Sequence, residues 1–456
     1  PLYTPWKILS AIVLSQQMNS RYPDLKFVPI FWNAGEDHDT AEMDHFVCVD
    51  RYGNALRYQI PSLENVRYLS FGTRPNHSLD LEDLFEYLDN TLQPTEFTPG
   101  LKALIRESYD ASENLGDFFN QLIWRVLPES GLVIVNSYSL PYQAMTRDLI
   151  RREIESPLQS SAQVNAAAEQ LSLVGIKPAM HKRQNRCSFF LMEPVLVDPE
   201  GGMIRARLPV EFEGELFRAG ETEYLPEELL FRLERNPLDF SPAAQLRPVL
   251  QDALLPTAVN VLGPGEFVYH LQIGEIYATH QVPRPVACER LHLTLLPPRI
   301  AKGLKKYHLN WDDLKKPLQT LNRELALEQE NLGFRDTLKA LRQEVTQALQ
   351  ALAEKARSLD KSLQSSIMTH EAQLLELLSK LENRIGKTLL NQDQERESAL
   401  ARLQALIYPK EQPQERVLNI FYFLNLFGPD LLSVLERNLL ETDPGAEYLL
   451  WVSDER

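Results

Sequence analysis

The densest run of ionisable side chains is Gly35-Glu36-Asp37-His38-Asp39, with Glu42, Asp44 and His45 close behind. Neighbouring like charges raise one another's proton affinity. Carboxylates gathered around an imidazole therefore suit a site where Asp or His accepts a proton or holds a substrate amine. Two plainer readings fit the same residues. One is a solvated loop followed by an Asp-capped helix over 40–47, and the other a metal site using His38, Asp39 and His45, whose spacing matches no defined metal motif. Gly263-Pro264-Gly265-Glu266 is the second candidate. Glycines admit a ligand to the backbone and a helix N-terminus favours anions, but Pro264 removes a donor and Glu266 adds negative charge. A turn-glycine amide is thus a better contact there than a phosphate cradle. Cations able to meet an anionic substrate are Lys7, Arg247, Arg284 and Arg416; Pro283 and Pro285 stiffen the backbone around Arg284. His270, His280, His292 and His370 stand alone on helical or strand patterns and read as packing residues. The chain has no nucleophile elbow and no GxxxxGK[ST] loop.

These residues need strands and helices to position them. Apolar runs at 27–32, 132–135, 187–192 and 257–262 alternate with helical patterns at 6–18, 143–173 and onward from Glu266 to about Tyr277. That alternation predicts an α/β fold with a mostly parallel sheet, in which ligands bind beyond the carboxyl ends of strands, where 35–39 and 263–266 fall. Residues 78–128 read as a helical insertion with Leu81, Leu84, Phe85 and Leu88 on one stripe, and 195–215 as a hairpin around Asp-Pro-Glu-Gly-Gly. From Asp312 to Leu406 glycine and proline almost vanish. Leu338, Leu341, Val345, Leu349, Leu352, Ala356, Leu359, Leu363 and Ile367 step by three and four, and the series resumes after His370 at Leu374, Leu377, Leu381 and Ile385. This is coiled-coil spacing. Fifty such residues would extend about 75 Å, so the seam needs an antiparallel return of the chain or a second chain, and a dimer through 336–405 is expected. The apolar stretch 414–427 is expected to dock back on the core. The resulting division is 1–76 and 131–310 for the core, 77–130 for the insertion, 311–406 for the coiled coil and 407–456 for a C-terminal helical segment.

Composition narrows the partners. The chain has 456 residues, enough for about three structural units. Its 47 Lys and Arg against 63 Asp and Glu give a net charge of −16, the wrong sign for binding nucleic acid or an anionic membrane. Cys48, Cys187 and Cys288 are far apart and spell neither a disulfide framework nor a zinc knuckle, so they read as reduced and the protein as cytoplasmic. No apolar run approaches the roughly 18 to 20 residues of a membrane helix.

Several separated motifs carry a resemblance. Pro1-Leu2-Tyr3-Thr4-Pro5-Trp6-Lys7, Val28-Pro29-Ile30-Phe31-Trp32-Asn33-Ala34-Gly35-Glu36-Asp37-His38-Asp39, Leu246-Arg247-Pro248-Val249-Leu250-Gln251-Asp252, Gly263-Pro264-Gly265-Glu266-Phe267-Val268-Tyr269, Pro283-Arg284 and Gln414-Glu415-Arg416 resemble the bacillithiol biosynthesis cysteine-adding enzymes. The resemblance implies a Rossmann-like core related to class I aminoacyl-tRNA synthetase-like ligases, helical connecting segments and a coiled coil that forms a homodimer. It implies a reaction joining cysteine to glucosaminyl malate. A free carboxylate is a poor electrophile, so ATP or another nucleotide is expected to activate cysteine, although no Lys-Met-Ser-Lys-Ser-like loop is present. The base would come from Glu36, Asp37, His38 and Asp39. The malyl dicarboxylate would meet Lys7, Arg284 or Arg416, and Tyr3, Thr4, Gly263, Gly265, Glu266 and Tyr269 would complete the substrate contacts, with no metal. Family members begin upstream with a strand and a Gly-Gln-Gln loop before Gly-Pro-Leu-Tyr-Thr, so the chain is expected to lack that segment. Two other functions stay open: a coiled-coil adaptor with an inactive α/β domain, and a metal-dependent hydrolase built on Glu36, Asp37, His38 and His45.

Overall fold

The computed structural model describes the chain apart from residues 36, 39–43, 61–69, 138–143, 198–202, 330–332, 391–393, 443, 444, 446 and 452–456. It has two compact units. The first comprises Pro1–Cys48, Leu56–Thr294 and Leu418–Tyr448, and the second Val49–Ala55, Leu295–Val417 and Leu449–Arg456, as far as these are described.

In the first unit the helix Tyr3–Arg21 buries Trp6, Leu9, Ile12 and Val13, a three-and-four spacing that puts one stripe in the core. Strand β1 (Ile30–Asn33) follows, then β2 (His45–Val49) and β3 (Ala55–Gln59), which pair with each other, and later β4 (Val133–Asn136). β1 and β4 are parallel, with Ile30 opposite Val133 and Asn33 opposite Asn136. The Asp-capped helix considered over 40–47 is not what His45 to Val47 form. Phe46 packs against the rings of Tyr58, Tyr87 and Phe421, and Val47 and Cys48 are buried, as suits an extended, half-buried segment. Between β3 and β4 lie the helices Leu81–Thr91, Thr98–Asp110 and Leu115–Val126. The Asp80 carboxylate accepts from the amides of Glu82 and Asp83, and the Asn114 side chain from that of Asp117.

The helical stretch at 143–173 is two helices, Ala144–Glu155 and Gln159–Leu173, separated where Pro157 has no N–H to offer and Leu158 turns left-handed at φ 69°. Next come β5 (Arg186–Val197), β6 (Met203–Glu213), β7 (Leu216–Ala219), β8 (Thr222–Tyr224) and β9 (Phe240–Pro242), a five-stranded antiparallel sheet in the order β8-β7-β6-β5-β9. Cys187–Met192, which the sequence groups with the parallel strands, belongs to this sheet. A short hydrophobic run does not encode the direction of its partner, whereas the hairpin return into β6 does. β10 (Val259–Leu262) and β11 (Val286–Glu289) form the other parallel pair. One core joins the antiparallel sheet to the surrounding helices: Cys187, Phe189 and Leu191 of β5, Val210 of β6 and Phe217 of β7 pack with Leu233, Val249, Ile276 and Tyr277. The helix Ile420–Phe427 is also buried in this unit, with Leu418 bridged to Val47.

In the second unit the coiled coil is a hairpin of the chain's own helices. Phe334–Arg357 runs out and Lys361–Leu390 returns, and Arg342 of the first donates to Ser379 Oγ (2.9 Å) and Glu382 Oε2 (2.8 Å) of the second. The break falls at Ser358–Asp360, whereas the sequence pattern places it after His370. Asp360 accepts from the Ser362 amide at 2.8 Å, and Leu359, 82% exposed, leaves the seam. The outgoing arm of 24 residues is about 36 Å long, half the reach of a continuous fifty-residue helix. At the base the buried Arg396 donates to Asn322 Oδ1 at 2.7 Å, tying Gln394–Ile407 to Leu318–Gln329.

Candidate active site

Asp37 and His38 lie just beyond the carboxyl end of β1. The Asp37 carboxylate receives Arg207 Nη1 (3.2 Å) from β6 and Arg247 Nη1 (3.0 Å) from the first turn of Arg247–Leu254. Burial works against its ionisation, but the two guanidinium groups and the His38 amide outweigh it and hold the carboxyl at about 2. Asp37 is thus an ionised clasp for two arginines and a poor proton acceptor. Arg207 is 2% exposed. It lies over the Phe190 ring, 4.0 Å from its centroid, and donates to Ser241 Oγ (2.9 Å) and to the Pro242 carbonyl. Its Nη1 is 3.4 Å from His38 Nδ1. A guanidinium only donates, so Nδ1 accepts and the ring proton falls on Nε2. Glu36 and Asp39 lie outside the described residues. His45 pairs with Asp44 at 3.1 Å, apart from these contacts, and among the described residues no group of three or more His, Cys, Asp or Glu is placed to hold a metal ion.

The second loop follows β10. Gly263 caps the helix Pro264–Gln272, and its amide donates to Glu266 Oε2 at 2.7 Å, so the turn amide expected to meet a ligand is already engaged. The same oxygen pairs with Lys7 Nζ at 2.6 Å. Lys7 is one turn into its helix, with Tyr3 and Thr4, both half-buried, in the turn before it. A Cβ at Gly265 would meet nothing within 4 Å, so that glycine faces open space. Burial and then Glu266 push the Tyr269 phenol up, opposed by Arg247. Arg247 therefore adds positive charge to the surroundings of both Asp37 and Tyr269.

The family model described as bacillithiol biosynthesis BshC, N-terminal Rossmann-like domain, matches residues 1–291, and that described as the C-terminal coiled-coil domain matches 293–446. The chain belongs to the BshC family. It is 28% identical to the "Putative cysteine ligase BshC" of Salinibacter ruber over 99% of this chain and 80% of that protein. The like-named protein of Chloroherpeton thalassium is 29% identical (96% and 78% covered), and that of Carboxydothermus hydrogenoformans 27% (99% and 82%).

Within this BshC-family site the remaining expected residues fall differently. Arg284 is exposed, its Nη2 donates to the His270 carbonyl at 2.8 Å, and its Nη1 would sit 3.1 Å from a Cβ on Gly274, so it closes the junction between Pro264–Gln272 and Gly274–His280. Arg416 belongs to the second unit, on Gln414–Val417. His270 is buried, which lowers its imidazole to about 4 despite Glu266 and leaves it neutral at pH 7. Sequence reasoning missed Arg207, Phe190, Tyr277 and the role of Asp252. The buried Asp252 accepts from Tyr277 Oη (2.5 Å) and Asn260 Nδ2 (3.0 Å), and burial raises its carboxyl. Arg207 sits on the face of β6 opposite the core-facing Leu208 and Val210, where a charge reads as solvent-facing, so no sequence signal marked it; Asp252 was visible only as part of a motif.

Proposed function

We propose that the chain is a cysteine ligase that forms the amide between the cysteine carboxylate and the amine of glucosaminyl malate. The observation that carries this reading is the Arg207–Asp37–Arg247 cluster just beyond the carboxyl end of β1, where two guanidinium groups meet on one carboxylate. Together they leave a net positive charge to meet an anionic sugar. ATP or another nucleotide would activate the carboxylate as an acyl adenylate or acyl phosphate, the nucleotide or phosphate leaving as the amine attacks, and Gly265 offers a backbone position with no side chain in the way. His38 then receives the amine's proton. The 3.4 Å contact from Arg207 that occupies Nδ1 is long, and a substrate carboxylate on Arg207 would release it. Asp37 keeps the two arginines in place throughout.

The test is incubation of the purified protein with cysteine, glucosaminyl malate and each nucleoside triphosphate, with mass detection of the amide. Product that needs all three components supports the reading. Binding of the malyl sugar without product under any nucleotide favours an adaptor or another chemistry. The reading also includes a homodimer through the hairpin arms, supported by Leu352, Leu374, Leu377 and Leu381, which are 42–58% exposed on them. Leu374→Glu with Leu377→Glu should convert a dimer to a monomer by light scattering, and a wild-type monomer sinks the claim. The cytoplasm is the proposed compartment, in keeping with free Cys48, Cys187 and Cys288; no helix among the described residues is long and apolar enough to cross a membrane.

A further inference from the structure

The loop that carries Asp37 and His38 is moulded by a turn that the site as described does not include. Residues 70–74 donate to it through three groups: the Gly72 amide (2.8 Å) and Ser70 Oγ (2.9 Å) to the Gly35 carbonyl, and the Phe71 amide (2.8 Å) to the Asp37 carbonyl. On its other side the turn accepts from the helix Leu115–Val126, Gly72 from the Gly116 amide (2.8 Å) and Arg74 from the Leu115 amide (2.9 Å). It is thus pinned between a helix and the loop. The contact is backbone on backbone, since a Cβ at Gly72 would stand 2.6 Å from Gly35 Cα and 2.9 Å from its carbonyl oxygen. Carbon atoms pack at about 3.5 to 4.0 Å, so a side chain at 72 has to push the two segments apart by about 1 Å. The arginines would not follow. Arg207 is held by Ser241, Pro242 and Phe190, and Arg247 by its place in the first turn of Arg247–Leu254. Displacing Asp37 by that much from its 3.2 Å and 3.0 Å contacts with them would take both out of hydrogen-bond range.

We infer that Ser70 and Gly72 are positioning residues of the candidate site, setting where Asp37 and His38 stand against Arg207 and Arg247. Glycine permits the close approach of two backbones, and the hydroxyl of the fully buried Ser70 adds a second donor to the carbonyl brought in by that approach. The ligase reading supplies only what the loop is for.

The test is a pair of double-mutant cycles on the stability of the first unit, measured in urea at pH 7 for Asp37→Asn, Ser70→Ala, Gly72→Ala and each of the last two combined with the first. Alone, Asp37→Asn should lower the folding constant by about thirtyfold, the scale set by the depressed carboxyl. Gly72→Ala should itself destabilise, and in its background Asp37→Asn should cost about threefold or less. Ser70→Ala adds no atoms and keeps the test open if Gly72→Ala does not fold. It should cut the cost of Asp37→Asn by roughly twofold to tenfold, the range of one hydrogen bond. A role confined to packing leaves that cost unchanged. Additive costs in the Ser70→Ala cycle, or in the Gly72→Ala cycle where that variant folds, overturn the inference, as does a Gly72→Ala protein as stable as wild type. The two readings fail separately. If wild type forms no amide, the ligase reading falls while the cycles still decide the positioning. If amide forms, Ser70→Ala should lower kcat more than it raises the KM for cysteine; coupled cycles with an unchanged kcat keep the positioning and remove His38 as the base.

Discussion

Asp37→Asn separates an acceptor of protons from a clasp for arginines. The carboxyl is held at about 2 against an ordinary 3.8, a difference worth about 2 kcal/mol of folding stability at neutral pH. Its side chain is 28% exposed and that of Arg207 only 2%, so solvent screens the pair on one side only. Because the folded-state value is depressed, the contribution is complete above 3.8, falls as pH drops from 3.8 towards 2, and is gone below. Asparagine keeps the shape and one acceptor but loses the charge. Urea unfolding followed by tryptophan fluorescence should show the variant about 2 kcal/mol less stable at pH 7 and pH 5, with the gap narrowing at pH 3 and closing by pH 2. Two units can unfold separately, so the transition of the first unit has to be fitted alone. A gap of constant size across this range, or none at pH 7, refutes the electrostatic account.

Two substitutions near the second loop carry opposite expectations. Gly265→Ala adds a methyl where nothing stands within 4 Å, so the melting temperature should hold or rise slightly while nucleotide affinity, measured by calorimetry, falls; unchanged affinity removes Gly265 from the site. Arg284→Ala should cost about 1 kcal/mol in denaturant unfolding, the scale of a lost hydrogen bond to the His270 carbonyl, with little change in KM for the malyl sugar. A large KM change at intact stability would return Arg284 to substrate binding.

The parallel pairs were legible because β1, β4 and β10 are short apolar runs bounded by turns, and the motif loops fall at their carboxyl ends. Their partners were less legible. The antiparallel sheet escaped because β5 carries apolar residues on both faces: Phe189 enters the core, while Phe190 stacks with Arg207 and His38. Period alone gives neither the partner nor its direction. The hairpin break was hidden for a related reason. Ser358-Leu359-Asp360 has no glycine or proline, and only a capping carboxylate and an exposed leucine end the helix there. Within the site, Asp37 stood out by its neighbours in sequence. Arg207 is 170 residues away, and only β6 brings it to Asp37.

That distance matters for how a chain of net charge −16 would hold the anionic substrate proposed for it. At physiological salt the Debye length is about 8 Å, so the overall field is mostly screened at a site and the nearest charges decide. Arg207 and Arg247 meet there through strands and helices from different parts of the chain, and Asp37 pins both. The carboxylate that looked like a base in the sequence instead keeps two guanidinium groups close together against their repulsion. A positive patch built in this way does not register in the composition, and it depends on the fold of the first unit being intact.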